Sequence, residues 1–247
     1  MNERALRILE YDKIIRLLVE HASSPLGKRE CEALVPMTDV STINAAQTET
    51  ADATGRLLRK GRITFQGNYD LFRTVQNLNL GGNLSAAELL KIASLSECAA
   101  RVKQYGAKER EDEPSDSLTD LFEELVPLVQ LSREIRRCII SEEEFADDAS
   151  PTLKHIRRSM VITGERIHSQ LNTMVNSTYR TYLQDAVITM RNNRYCIPVK
   201  SEYKGMVHGM VHDQSKAGST FFIEPAAIVE LNNKLQELSI QEQEEIE

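Results

Sequence analysis

The stretch VHDQSKAGSTFFIEP, residues 211–225, gathers the side chains that could carry reaction chemistry. His212 and Asp213 are adjacent, Ser215 and Ser219 supply two hydroxyls, and the apolar run Phe221-Phe222-Ile223 ends at Glu224-Pro225. These types suggest hydrolysis: a serine nucleophile, a histidine base and a carboxylate to orient the base. A stand-alone enzyme of that kind would work through His212 and Ser219. The spacing argues against it. Neighbours on a strand point to opposite faces, so Asp213 would not orient His212, and no G-x-S-x-G elbow occurs in the chain. Asp213, Ser215 and Ser219 fit better as turn residues that hydrogen-bond nearby backbone. His208 and His212, four apart on a strand, share a face and could share a metal, but no third ligand at suitable spacing accompanies them. There is no G-x-x-x-x-G-K-[ST], hence no Walker-type nucleotide site. No catalytic, cofactor-binding or metal-ligating residue is therefore expected here.

The cations around that stretch suggest a different chemistry. Arg191, Arg194, Lys200, Lys204 and Lys216 flank turn signals at Asn192-Asn193, Lys204-Gly205 and Lys216-Ala217-Gly218. Side chains so placed can hold phosphates without reading bases, which gives salt-sensitive, sequence-independent affinity. The plainer reading is a solvated rim of surface charges. Tyr195 and Tyr203 could stack on bases or pack the strands.

The whole chain sets limits on both readings. Its 247 residues allow one or two domains with a real core. With 41% apolar and 27% charged residues it has the composition of an ordinary soluble protein, and its 5% aromatics without tryptophan favour helix packing. No signal peptide and no long apolar span is present, so no membrane partner is expected. Cys31, Cys98, Cys138 and Cys196 are scattered, which fits free thiols in a reducing, bacterial-type cytoplasm. The net charge of −7 hides an asymmetry. Residues 107–148 hold five basic and fourteen acidic side chains, a balance of −9, whereas 151–185 is +3 and 186–225 is +2. A polyanion partner is permitted on the last two stretches but not required.

The elements that must position these residues are mostly helical. Leu6, Leu9, Ile14, Leu17 and Leu18 recur at helical spacing before a break at SSPLGK, and a second helix runs from Val40 to Arg59. After the turn at Gly81-Gly82, Ser85 and Glu88 form a capping box for the next helix. EREDEPSDS, residues 109–117, reads as a charged linker or loop, with short helices following to about residue 145. Ser150 caps a helix with Pro151 at its first position, and the apolar stripe from Leu153 to Val175 predicts one long element over 150–185. The period then changes: 186–225 is rich in Val, Ile, Tyr and Phe between turn signals, predicting three or four antiparallel strands. From Ala226 the helical period returns and runs uncapped to Glu247, as expected of a chain that continues beyond it. The order is long helix out, small β-element, helix back.

ALRILEYDKIIRLLVEHASSPLGK, GGNLSAAELLKIA, ASPTLKHIRR, MRNNRYCIPVKSEYKG and VHDQSKAGSTFFIEPAAIVELNNKLQEL resemble, in order, the N-terminal half of the second-branch MutS proteins, the MutS-two family. The resemblance covers essentially the whole chain, and its last two blocks are the most specific. It implies a mainly α fold: a helical core over 1–149, an ascending lever helix over 150–185, a β-rich clamp over 186–225 and the start of a descending lever over 226–247. It further implies a parent protein with an ABC-type ATPase that binds ATP and Mg, and a C-terminal Smr endonuclease domain. Such a parent acts as a homodimer that closes around branched or otherwise structured DNA and restrains homologous recombination. Collided ribosomes and their rRNA are its second implied target. This stretch itself would be non-enzymatic, with Arg191, Arg194, Lys200, Lys204 and Lys216 touching nucleic-acid backbone. The alternative is a protein- or ribosome-docking module without direct DNA contact. Asn193 stands where relatives often have glycine, a replacement that a left-handed turn position tolerates.

Overall fold

The computed structural model describes residues 3–108 and 114–247, and the chain divides into two compact units, Met1–Ala146 and Asp147–Glu247. It is mainly α with one small four-stranded antiparallel sheet.

The first unit contains α1 (Glu3–Ile8), α2 (Tyr11–His21), α3 (Pro25–Ala33), α4 (Val40–Lys60), α5 (Phe72–Asn79), α6 (Ala86–Gly106), α7 (Thr119–Glu123) and α8 (Val129–Cys138). The first apolar stripe does not form one helix: Glu10 takes a left-handed conformation between α1 and α2. Gly61 at φ 76 ends α4, and the Ser85–Glu88 capping box starts α6 as its sequence requires. A small core of Ala93, Ile135 and Ile139 joins α6 to α8. A buried ion pair adds to it. Arg56 on α4 donates Nε and Nη2 to the Asp116 carboxylate, each at 2.6 Å, and Nη1 to the Gly106 carbonyl at 3.0 Å. Arg56 also lies 4.8 Å over the Phe122 ring. The Arg56 hydrogen bonds and charge hold the Asp116 carboxyl down at about 2, against the smaller opposing effect of burial. The expected linker 109–117 is thus anchored at Asp116, while residues 109–113 lie outside the described residues.

In the second unit, α9 (Pro151–Thr173) and α10 (Val229–Ile246) run antiparallel. Ser150 Oγ donates to Glu245 at 2.6 Å and Arg157 pairs with Glu242 at 2.7 Å, while Ile167 and Leu171 share a core with Ile228 and Leu231. Ser150 caps α9 through Leu153 N–H, with Pro151 first in the helix, as the sequence predicts. The helix is shorter than the stripe over 150–185 suggests. Thr173, Asn176 and Ser177 each turn a side chain onto the carbonyl four residues back, and Met174–Thr178 ends the element as a π-turn.

Four strands lie between the helices: β1 (Thr189–Arg191), β2 (Arg194–Lys200), β3 (Gly209–Gln214) and β4 (Thr220–Pro225), in the order β1-β2-β4-β3. Ile197, Val199 and Ile223 bury one face of the sheet against Ile167, Leu171 and Ile228. Pro198 sits inside the well-buried strand β2, where a missing N–H is usually costly. Its carbonyl accepts from Gln184 N–H, and Lys200 N–H donates to the Tyr182 carbonyl, so this side of β2 faces the irregular segment rather than β4. The missing donor therefore breaks no rung between β2 and β4.

Candidate nucleic-acid interface

The β1–β2 hairpin turns on Asn192 and Asn193, both left-handed at φ 50 and 60, the conformation a two-residue type I′ turn demands. This turn places Arg191 and Arg194 on the sheet face away from the apolar core. At the centre of that face lies Glu224, fully buried. Its carboxylate accepts from Arg194 Nη1 at 2.8 Å, Asn232 Nδ2 at 2.7 Å and His212 Nε2 at 2.5 Å. A carboxylate offers only acceptors, which assigns the proton of the last contact to His212 Nε2. Burial by itself would raise the Glu224 carboxyl, but the hydrogen bonds from Asn232, His212 and Arg194 together hold it below the usual range. Next to it, burial and then the Glu224 charge push the Cys196 thiol up to about 11, so this cysteine is no nucleophile.

Asn232 on α10 does a second job. It accepts from Tyr195 N–H and donates to the Tyr195 carbonyl, both at 3.2 Å. The β2–β4 register, carried on from Ile197 opposite Ile223, would set Tyr195 opposite Pro225, which has no N–H to give. The asparagine side chain completes the ladder instead.

His212 and Asp213 do not point to opposite faces, contrary to the strand rule. A β-bulge between Val211 and Asp213 inserts one residue, and both side chains reach the same face. His212 binds Glu224, while Asp213 pairs with Arg191 Nε at 3.1 Å. The two do not form a base and its orienter. Ser215 Oγ accepts from Thr220 N–H at 3.1 Å and Asp213 from Gln214 N–H at 2.8 Å, so both hold the turn. Ser219 takes part through its carbonyl, which accepts from Ser201 N–H. His208 precedes β3, and its carbonyl accepts from Ala226 N–H. Among the described residues no group of three metal-ligating side chains comes together.

The five expected contact residues separate into two groups. Arg194 is committed to Glu224 and, through Nη2, to Asn233 at 2.5 Å. Arg191 lies 3.9 Å over the Phe222 ring while paired with Asp213, its side chain 36% exposed. The lysines lie toward the other end of the sheet. Lys200 pairs across from Thr220, Lys204 follows in the 3₁₀ turn Ser201–Met206, and Lys216 occupies the β3–β4 turn that leads into Thr220. None of the three has an acidic partner among the described residues. Lys204 Nζ stands 4.3 Å over the Phe221 ring and Lys200 Nζ 6.0 Å over Tyr203. Tyr203 itself stacks on Tyr182 at 5.0 Å, and Tyr182 on Tyr179 at 6.3 Å. The aromatic seats beneath the lysines were not evident in the sequence beyond Tyr203. Tyr195 packs edge-on against His168 at 4.9 Å and serves the fold.

No protein-family model matches the chain. It is similar over its full length to curated proteins named Endonuclease MutS2. One from Lachnoclostridium phytofermentans is 51% identical over 253 residues, and one from Agathobacter rectalis is 51% identical over 248 residues. A third, from Clostridioides difficile, is 41% identical over 249 residues. The chain spans 32%, 31% and 31% of these three proteins respectively, a smaller share than the half its motifs suggest. No helix among the described residues is long and apolar enough to cross a membrane. With identity of this order sustained from end to end, the chain belongs to the MutS2 family over the third of such a protein that it covers.

Proposed function

We propose that α9 and α10 are the levers, and the four-stranded sheet the clamp, of a MutS2 protein that grips the backbone of branched or structured DNA. The observation that supports this is the trio Lys200, Lys204 and Lys216: three cations at one end of the sheet without acidic partners among the described residues, two of them seated on aromatic rings. Lysines held this way can meet phosphates without reading bases. Arg191 contributes its exposed flank, and Arg194 positions the hairpin from within rather than touching the ligand. The parent supplies the rest: ATP and Mg at an ATPase domain to move the levers, a second copy to close the grip, and an endonuclease domain. The outcome is restraint of homologous recombination, with collided ribosomes and their rRNA as a second substrate.

The test uses the full-length protein carrying Lys200→Ala, Lys204→Ala and Lys216→Ala together. Affinity for branched, duplex and single-stranded DNA should fall alike, and the log–log salt dependence should flatten by about 2–3 charges. Unchanged affinity and slope on all three DNAs overturn the clamp contact. Loss of co-sedimentation with stalled disomes, with DNA binding intact, would instead favour a ribosome-docking module.

A further inference from the structure

The buried positions of α9 are Leu153, Ile156, Thr163, Ile167 and Leu171. With about 3.6 residues per turn, Arg158, Val161, Ile162 and Glu165 fall on the opposite side of the helix. Val161 is 61% and Ile162 41% exposed, two neighbouring aliphatic side chains left in water. Arg158 stands three residues before Val161, and Glu165 three residues after Ile162. Both are exposed, and neither has an oppositely charged partner among the described residues. Arg157, by contrast, is held by Glu242 and Asp147. Beside this patch, nothing lies within 4 Å of where a Cβ on Gly164 would stand. Glycine weakens a helix interior, and a close approach by another backbone is what commonly calls for it; nothing in this chain makes that approach.

The order cation, two aliphatics, anion reads as its own complement when reversed. In a second copy lying parallel along this face, Arg158 would meet Arg158 and Glu165 would meet Glu165, and like charges repel. Turn the second copy antiparallel, about a twofold axis level with Val161 and Ile162, and each Arg158 meets the Glu165 of the other copy. Val161 and Ile162 then close over their own symmetry mates at the centre. An isologous contact has this form: each residue meets its counterpart twice, once on either side of the axis.

We propose that the outer face of α9, from Arg158 to Glu165, is a contact with a second copy of this chain, the two helices crossing antiparallel. Four aliphatic side chains leave water at its centre, and two symmetry-related Arg158–Glu165 ion pairs flank them and set the direction. The sheet packs on Ile167 and Leu171, toward the end of α9, so antiparallel copies carry their sheets at opposite ends. The contact is therefore separate from the pairing that closes a clamp on nucleic acid, and it does not rest on the lysines. It joins one such pair to another. A single helix crossing buries less than the roughly 1,200 Å² of a stable complex, so the association is weak and reversible.

Sedimentation equilibrium of the 247-residue chain, without nucleic acid and at concentrations up to about 1 mM, tests this. We expect a reversible monomer–dimer equilibrium that weakens with added salt. Arg158→Glu and Glu165→Arg should each weaken it at least about 10-fold, because each sets like charges against each other on both flanks. Mixed together, the two variants should pair with one another about as well as the parent chain pairs with itself. One then brings two carboxylates, and the other two guanidinium groups, to the same contact. Both positions are exposed, so both variants should keep the circular dichroism of the parent chain. The variant carrying Lys200→Ala, Lys204→Ala and Lys216→Ala should dimerise as the parent chain does, which separates this contact from the clamp. The proposal is overturned if the chain stays monomeric throughout, if both charge reversals dimerise as the parent chain does, if their mixture fails to recover association, or if the lysine variant loses the dimer.

Discussion

Arg194 Nη1 donates to Glu224 Oε1 across 2.8 Å, joining the start of β2 to a carboxylate with no exposure to solvent. Deleting one partner of such a pair leaves the other charge buried and uncompensated. Arg194→Ala, which strands the fully buried Glu224 charge, should therefore cost about 3–5 kcal/mol, read as a lower urea midpoint for the second unit. Asn233→Ala removes only the outer, exposed partner of Arg194 and should cost about 0.5 kcal/mol or less. Equal losses in the two variants would mean that Glu224 does not organise the face.

Acid should weaken the first unit through Asp116. Its folded-state value of about 2 lies below the ordinary 3.8, so the stability it contributes is present above about pH 4 and is lost as pH falls toward 2. Hydrogen exchange of amides in α7, followed from pH 5 to pH 2, should show protection falling through that window. In Asp116→Asn the same amides should start less protected and lose less.

Gly209 approaches β4 so closely that a Cβ on it would lie 2.0 Å from the Glu224 carbonyl oxygen. The obstacle is backbone and cannot swing aside. Gly209→Ala should force β3 away from β4 and lower the melting temperature of the second unit by about 5 °C or more, a loss above 1 kcal/mol. Gly205→Ala is the matched control, because nothing lies within 4 Å of its would-be Cβ; it should melt within a degree or so of the parent chain.

At the hairpin, Asn193 at φ 60 bears a cost that glycine avoids. Asn193→Gly should gain about 0.5 kcal/mol and Asn193→Val should lose about 1–2 kcal/mol, since a β-branched residue resists the left-handed region. Chemical denaturation of the two variants side by side measures both signs. A stabilising valine would rule out the type I′ turn.

The sequence disclosed what is decided locally. Ser85 with Glu88, Ser150 with Pro151, and Asn192-Asn193 each specify their element through neighbours within four residues, and each stands where it was expected. Decisions taken at longer range were hidden. One inserted residue at the bulge turns His212 and Asp213 onto a common face, and alternation alone has no means of signalling it. The partnership of Glu224 with Arg194, 30 positions away, depends on the sheet order. Of the five cations singled out by type and spacing, three lysines lie at one end of the sheet and Arg194 is tied inward to Glu224, because charge is legible in a sequence while its partner is not. The end of α9 at Thr173 was obscured by an apolar stripe that continues to Val175.

Asn232 links two parts of the second unit, helix and sheet. One side chain on α10 holds the Tyr195 backbone of β2 and the Glu224 carboxylate of β4 at once. A torque applied along α10 would therefore reach both central strands at a single buried point, with no slack taken up at Pro225. The joint between helix and sheet is therefore fastened by three hydrogen bonds from one side chain.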